Sequence, residues 1–158
     1  MSFRKVELPA SVPGSLWLAS MPARDEPWAR FEARARECGI ATIVCLTPRA
    51  EVAELSPEYL QMISDPSIPF RWVELAIPNF GVPKDREAFR RSVVSLAEAL
   101  LRGESVLLHC AAGLGRTGST AACVLKSLGL GTQDALRGVR DAGSNPQNAS
   151  QSGFVEWF

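Results

Sequence analysis

The stretch SVLLHCAAGLGRTGSTAACVLKSLGLG, residues 105–131, constrains the fold more than any other part of the chain. Ser105–Cys110 reads as a short buried strand. After Arg116, the apolar residues Ala121, Val124, Leu125 and Leu128 recur at helical spacing and stop at Gly129. Between the two lies a turn of small residues carrying Gly113 and Gly115. A strand that empties through a tight glycine turn directly into a helix is a building unit of α/β domains.

The rest of the chain repeats that alternation. SLWLASMP (Ser15–Pro22) reads as a short strand, and Glu26–Cys38 as a helix with Pro27 near its start and Gly39 after its end. IATIVCL (Ile40–Leu46) has the β-branched, apolar composition of a strand covered on both faces. FRWVELAI (Phe70–Ile77) is the next strand, followed by the loop PNFGVPKD (Pro78–Asp85) and a helix from Arg86 to Arg102. Two short helices, near Gln133–Ala142 and Ser150–Phe158, complete the chain, with Thr132 and Ser150 placed as N-caps. The expectation is one α/β domain over residues 1–158: a central, mostly parallel sheet flanked by helices, binding its ligand beyond the carboxyl ends of the strands.

At 158 residues, 46% of them hydrophobic, the chain is long enough for one domain with a substantial core. Lys+Arg and Asp+Glu number 17 each, so no net field draws it to nucleic acid or an anionic membrane. No window is apolar enough to span a bilayer, and no leader is visible, which predicts a soluble, cytoplasmic protein. Cys38, Cys45, Cys110 and Cys123 are widely spaced and share one histidine, which argues for reduced thiols and against a metal site. No cofactor is expected, and the chain is expected to act as a monomer.

Cys110 ends a strand, and Arg116 opens a helix six residues later. The backbone N–H groups of Ala111, Ala112, Gly113, Leu114 and Gly115 can curl inward as an anion nest, and the helix N-terminus adds its positive end. Arg116 offers a planar fork to two phosphate oxygens at once. The same surroundings favour a thiolate, so Cys110 can attack a phosphorus seated above it. His109, the sole histidine, points to the opposite face from its neighbour and reads as scaffolding beneath the loop rather than as a base. Thr117 can donate its hydroxyl to the Cys110 sulfur. Together these residues predict a two-step, covalent phosphatase mechanism.

HCAAGLGRTG resembles the H-C-x-x-G-x-G-R-[ST]-G signature of the cysteine-dependent protein tyrosine and dual-specificity phosphatases. LWLASMP is similar to the opening strand of the small dual-specificity members, IATIVCLT to their second core strand and IPNFGVP to their general-acid loop. GSNPQNASQSGF is similar to the segment whose glutamine orients the attacking water. The resemblance takes in residues 12–158, with features of the cyclin-dependent-kinase-associated phosphatases in GLGR…AACVL and in the Gln147/Gln151 spacing. It implies hydrolysis of phosphotyrosine, and of phosphoserine or phosphothreonine, in a phosphorylated protein or peptide. It assigns Gln151, and less directly Gln147, to the water.

One position departs from the pattern. Where the family places the Asp that protonates the leaving oxygen, this chain has Asn79, which can neither give nor take that proton. General acid catalysis contributes about 10²- to 10⁴-fold in rate. Asp85, in the same loop, is the alternative acid, with Glu74 on the preceding strand a further candidate; as plain structure, Asn79 is a turn residue and Asp85 a helix N-terminal residue. Two other functions stay open: a phosphatase fold that binds phosphorylated partners with little turnover, and a phosphoinositide or RNA 5′-phosphatase. Against the latter, Ala111, Ala112 and Leu114 add no charge for further phosphates. A regulatory disulfide between Cys110 and Cys45 is also implied by relatives, whereas Cys45 and Cys123 otherwise read as core residues.

Overall fold

The computed structural model describes residues 3–158. Its elements follow the chain as β1 (Arg4–Val6), β2 (Ser15–Ala19), α1 (Trp28–Glu37), β3 (Thr42–Cys45), α2 (Arg49–Leu55), α3 (Pro57–Ile63), β4 (Arg71–Glu74), α4 (Arg86–Leu101), β5 (Ser105–His109), α5 (Gly115–Ser127), α6 (Thr132–Asp141) and α7 (Ala149–Trp157). The strands form one five-stranded sheet in the order β1-β2-β5-β3-β4. β2, β5, β3 and β4 run parallel, and β1 adds an antiparallel edge on β2. The mostly parallel sheet read from the sequence is present, with that one antiparallel strand besides.

Both faces of the sheet are covered, which is why its central strands are almost wholly apolar. In β5, Val106 and Leu108 pack with Leu16, Leu18 and Val44 against the helices on one side. Leu107 packs with Ile43, Cys45 and Tyr59 on the other, beneath α1 to α3. The period-2 alternation of side chains thus divides adjacent residues between two cores. α5 packs against α4, α6 and α7, and Gly115–Leu125 are buried throughout. Its polar Thr117, Ser119 and Thr120 are therefore interior residues.

Two capping expectations are corrected. α7 starts one residue earlier than expected and is capped by Asn148, whose Oδ1 accepts from the Gln151 N–H at 2.9 Å, not by Ser150. Asn and Ser cap about equally well, and here the extended residue is Asn148, with Ser150 already inside the first turn. Thr132 is likewise inside α6, whose N-cap is Gly131. Helices α2 and α3 were not foreseen; α3 carries a clear start signal in Ser56, whose Oγ accepts from Tyr59 N, followed by Pro57.

Candidate active site

β5 lies at the centre of the sheet and delivers Cys110 to the carboxyl end of the parallel strands. The loop that follows folds back on the sulfur. Gly113 N–H donates to Cys110 Sγ at 3.2 Å, and Thr117 Oγ1–H donates to it at 3.0 Å. Both bonds aim donors at the sulfur. Gly113 sits at φ 76°, where a side chain is strained, and its ideal Cβ would lie 2.6 Å from the Ala19 carbonyl oxygen. The far side of the loop is held just beyond β2, where Met21 N–H donates to Ala111 O at 3.1 Å.

Arg116 is 3% exposed, and its guanidinium is gripped from outside the loop. Nη2 donates to Glu51 Oε2 at 2.7 Å and Nη1 to Glu51 Oε1 at 3.4 Å, while Nη1 also donates to the Ile77 carbonyl at 3.1 Å. This fork-to-fork pair fixes the plane of the guanidinium. Glu51 is the residue that sequence reasoning missed. It lies in α2, 65 residues from Arg116, and no local pattern joins the two.

His109 is fully buried and joins a chain of donors. Trp72 Nε1–H donates to Tyr59 Oη at 2.9 Å, Tyr59 Oη meets His109 Nε2 at 2.7 Å, and His109 Nδ1 meets the Cys110 carbonyl at 3.2 Å. A phenol donating to Nε2, with the ring proton on Nδ1 directed at Cys110 O, satisfies every member. Burial raises the Tyr59 pKa well above 10, keeping its proton. Burial also pushes the His109 pKa down to about 4, so the imidazole is neutral at pH 7. His109 is thus buried between Tyr59, the chain's sole tyrosine and unremarked in the sequence, and the Cys110 carbonyl.

Above Cys110 is a small cavity of about 190 Å³. Its floor is Cys110–Ala112 and Leu114–Arg116; Asn79 and Phe80 close one side, and Gln147 and Gln151 another. Asn79 thus faces the sulfur's cavity. Asp85 does not: it caps α4, accepting from Ala88 N–H at 3.0 Å, and lines a separate groove of about 620 Å³. Glu74 lines that same groove and pairs with Arg49 at 3.3 Å. Neither carboxylate is among the residues that line the Cys110 cavity.

The two ends of the Gln151 amide are occupied. Oε1 accepts from Gln147 N–H at 2.7 Å, and Nε2 donates to Gly81 O at 3.3 Å. Asn148 Nδ2 donates to Phe80 O at 2.8 Å, holding a residue at φ 57°. The start of α7 is therefore tied to the Asn79-bearing loop at Phe80 and Gly81, while the Gln147 and Gln151 side chains lie against Gly115. Cys45 packs in the core beneath α1 to α3 and Cys110 in the opposite one, and both are free thiols. Burial raises the Cys45 pKa to about 11 and the Cys123 pKa to about 12, leaving both as unreactive thiols.

Among the described residues no cluster of three or more metal-ligating side chains occurs, and no helix is long and apolar enough to cross a membrane.

The fold is similar to kinase associated phosphatase (KAP) carrying Ser in place of its catalytic Cys, with TM-score 0.84 and 21% identity over 98% of this chain and 92% of that one. It is also similar to human tyrosine phosphatase-like serine/threonine/tyrosine-interacting protein, with TM-score 0.69 and 22% identity over 97% and 93% of the two chains. At the sequence level, 57 residues are 37% identical to "Putative tyrosine phosphatase 067L" of Invertebrate iridescent virus 3, a match covering 34% of this chain and 24% of that relative's length. A sequence model described as "PTP-SAK: Swiss Army Knife protein, DSP-PTPase phosphatase domain" matches residues 9–153. The chain belongs to that family of dual-specificity-type, cysteine-dependent phosphatase domains.

Proposed function

We propose that this chain hydrolyses phosphotyrosine in proteins through a phosphocysteine at Cys110, with slower action on phosphoserine and phosphothreonine. The observation that carries the reading is the pairing of a sulfur accepting from Gly113 N–H and Thr117 Oγ1–H with a guanidinium held in plane by Glu51. In the first step the Cys110 thiolate attacks phosphorus. The Sγ–P bond forms, and the P–O bond to the substrate oxygen breaks. The nest of N–H groups from Ala111 to Gly115 and the Arg116 fork hold the equatorial oxygens as charge spreads over them. In the second step water attacks phosphorus and the Sγ–P bond breaks. Thr117 Oγ1 donates to the departing thiolate, which leaves as the better stabilised anion.

Asn79 gives this site its leaving-group preference. It cannot protonate the departing oxygen, so a phenolate leaves more readily than the more basic alkoxide of Ser or Thr. The uncharged Ala111, Ala112 and Leu114 suit a single phosphoryl group rather than a polyphosphorylated ligand.

A second reading, a module that holds phosphorylated partners with little turnover, is favoured by two facts together: Asn79 faces the cavity, and the Gln151 amide is engaged at both ends. Turnover of a phosphotyrosine peptide, compared with Cys110→Ser, separates the two. The first reading predicts turnover lost in Cys110→Ser with phosphate binding retained. Binding of the phosphopeptide without measurable turnover by the unaltered chain supports the second and overturns the first.

A further inference from the structure

Beneath the catalytic loop lies a side chain that the phosphatase chemistry does not use. Arg4 of β1 is half-buried, and its Nη2 donates to Gly113 O at 2.7 Å. Its Nη1 donates to Ala142 O at 2.9 Å and to Ser144 Oγ at 2.8 Å. Ser144 Oγ–H in turn donates to Gly113 O at 2.6 Å. One guanidinium therefore joins the edge strand, the catalytic loop and the turn between α6 and α7.

Space is reserved for it. An ideal Cβ on Gly113 would lie 2.9 Å from Nη2, and one on Gly143 would lie 3.1 Å from Nη1. The consequence for the loop follows from the planar trans amide, in which C=O and N–H point opposite ways. Two donors fix the Gly113 carbonyl on the underside. The N–H of the same peptide plane belongs to Leu114, a residue lining the cavity floor, and must turn the other way, toward the phosphate seat. Gly113's own N–H meanwhile rests on Cys110 Sγ. Burial lowers the Arg4 pKa, and attraction to Cys110 opposes that lowering.

We propose that Arg4 is a positioning residue of the catalytic loop: by holding the Gly113 carbonyl it aims the Leu114 N–H at the phosphoryl group, and it sets a second fixed positive charge behind the Cys110 sulfur. This inference rests on Cys110 being the nucleophile. Lysine keeps the charge but has one nitrogen where Arg4 uses two, Nη1 toward Ala142 and Ser144 and Nη2 toward Gly113.

The test compares the unaltered chain with Arg4→Met and Arg4→Lys. It uses kcat on p-nitrophenyl phosphate and the rate of Cys110 alkylation by iodoacetamide across pH, read peptide by peptide. Arg4→Met should lose about tenfold or more in kcat, and its alkylation profile should move to higher pH. Arg4→Lys should restore the alkylation profile more fully than kcat. A folded Arg4→Met with unchanged kcat and profile overturns the proposal, as does a kcat loss with the alkylation profile unmoved. If Arg4→Met does not fold, a folded Arg4→Lys with unaltered kcat overturns it in the same way. Should Cys110 of the unaltered chain alkylate no faster than Cys38, the nucleophile itself is misassigned, and this inference falls with it.

Discussion

Removing Glu51 tests how far Arg116 depends on a residue outside the catalytic loop. In Glu51→Ala the guanidinium keeps one of its three hydrogen bonds, that to Ile77 O, and loses its only ion-pair partner among the described residues. Breaking a buried pair by deleting one partner costs about 3–5 kcal/mol. Arg116 is 3% exposed but Glu51 is 20% exposed, so water reaches part of the carboxylate and about 2–3 kcal/mol is the better figure. For a chain of this size each kcal/mol moves Tm by about 2–4 °C, so the variant should melt roughly 5–10 °C lower. Bound phosphate or vanadate restores a counter-charge at the guanidinium. The variant should therefore gain more Tm from saturating vanadate than the unaltered chain does. Its kcat/KM should fall by about tenfold or more, because a fork no longer held in plane meets the transition state poorly. Differential scanning calorimetry with and without vanadate makes the measurement. An unchanged Tm, or equal vanadate stabilisation in the two proteins, would refute the reasoning that Glu51 compensates a buried charge.

Two further outcomes are expected. His109 stays neutral in the folded state down to about pH 4, whereas the unfolded chain takes up a proton near 6.5. The contribution is therefore complete above pH 6.5 and is lost as pH falls toward 4, by an amount on the order of 3 kcal/mol. Denaturant midpoints from pH 7 to 4 check it: His109→Gln should flatten that limb, and an unchanged limb would place the titration elsewhere. Asn79→Asp should raise the rate on phosphoserine peptides by up to about 10²- to 10⁴-fold, with a far smaller gain on p-nitrophenyl phosphate, and should produce a bell-shaped pH profile. Equal gains on the two substrates would show that the residue at 79 does not protonate the leaving group.

The strand–glycine–helix pattern of residues 105–129 was sufficient to place Cys110 at a strand end beside Arg116 and Thr117 in the first turn of the next helix, because contacts within eight residues follow from local geometry. The alternation of apolar segments gave the parallel sheet for the same reason. What sequence could not supply were partners reached only through topology. Glu51 meets Arg116 across 65 positions, Tyr59 meets His109 across 50, and Arg4 meets Gly113 across 109. β1 has three residues, too few for a period-2 signal. Helices α2 and α3 have seven residues each and follow one another with only Ser56 between, which blurs their amphipathic period. Gln151 was legible as a residue near the site, but its contacts with Gln147 and Gly81 depend on how α7 docks.

The central claim, a covalent phosphocysteine at Cys110, is tested most directly by acid-quenching the reaction with p-nitrophenyl phosphate within the first turnover and locating the phosphoryl group by peptide mass spectrometry. The account predicts a burst of p-nitrophenol approaching one equivalent per chain if hydrolysis of the intermediate is the slower step. It also predicts phosphate on the Cys110 peptide alone, and neither the burst nor the adduct in Cys110→Ser. Turnover with no adduct on Cys110 at any quench time, persisting in Cys110→Ser, would contradict it.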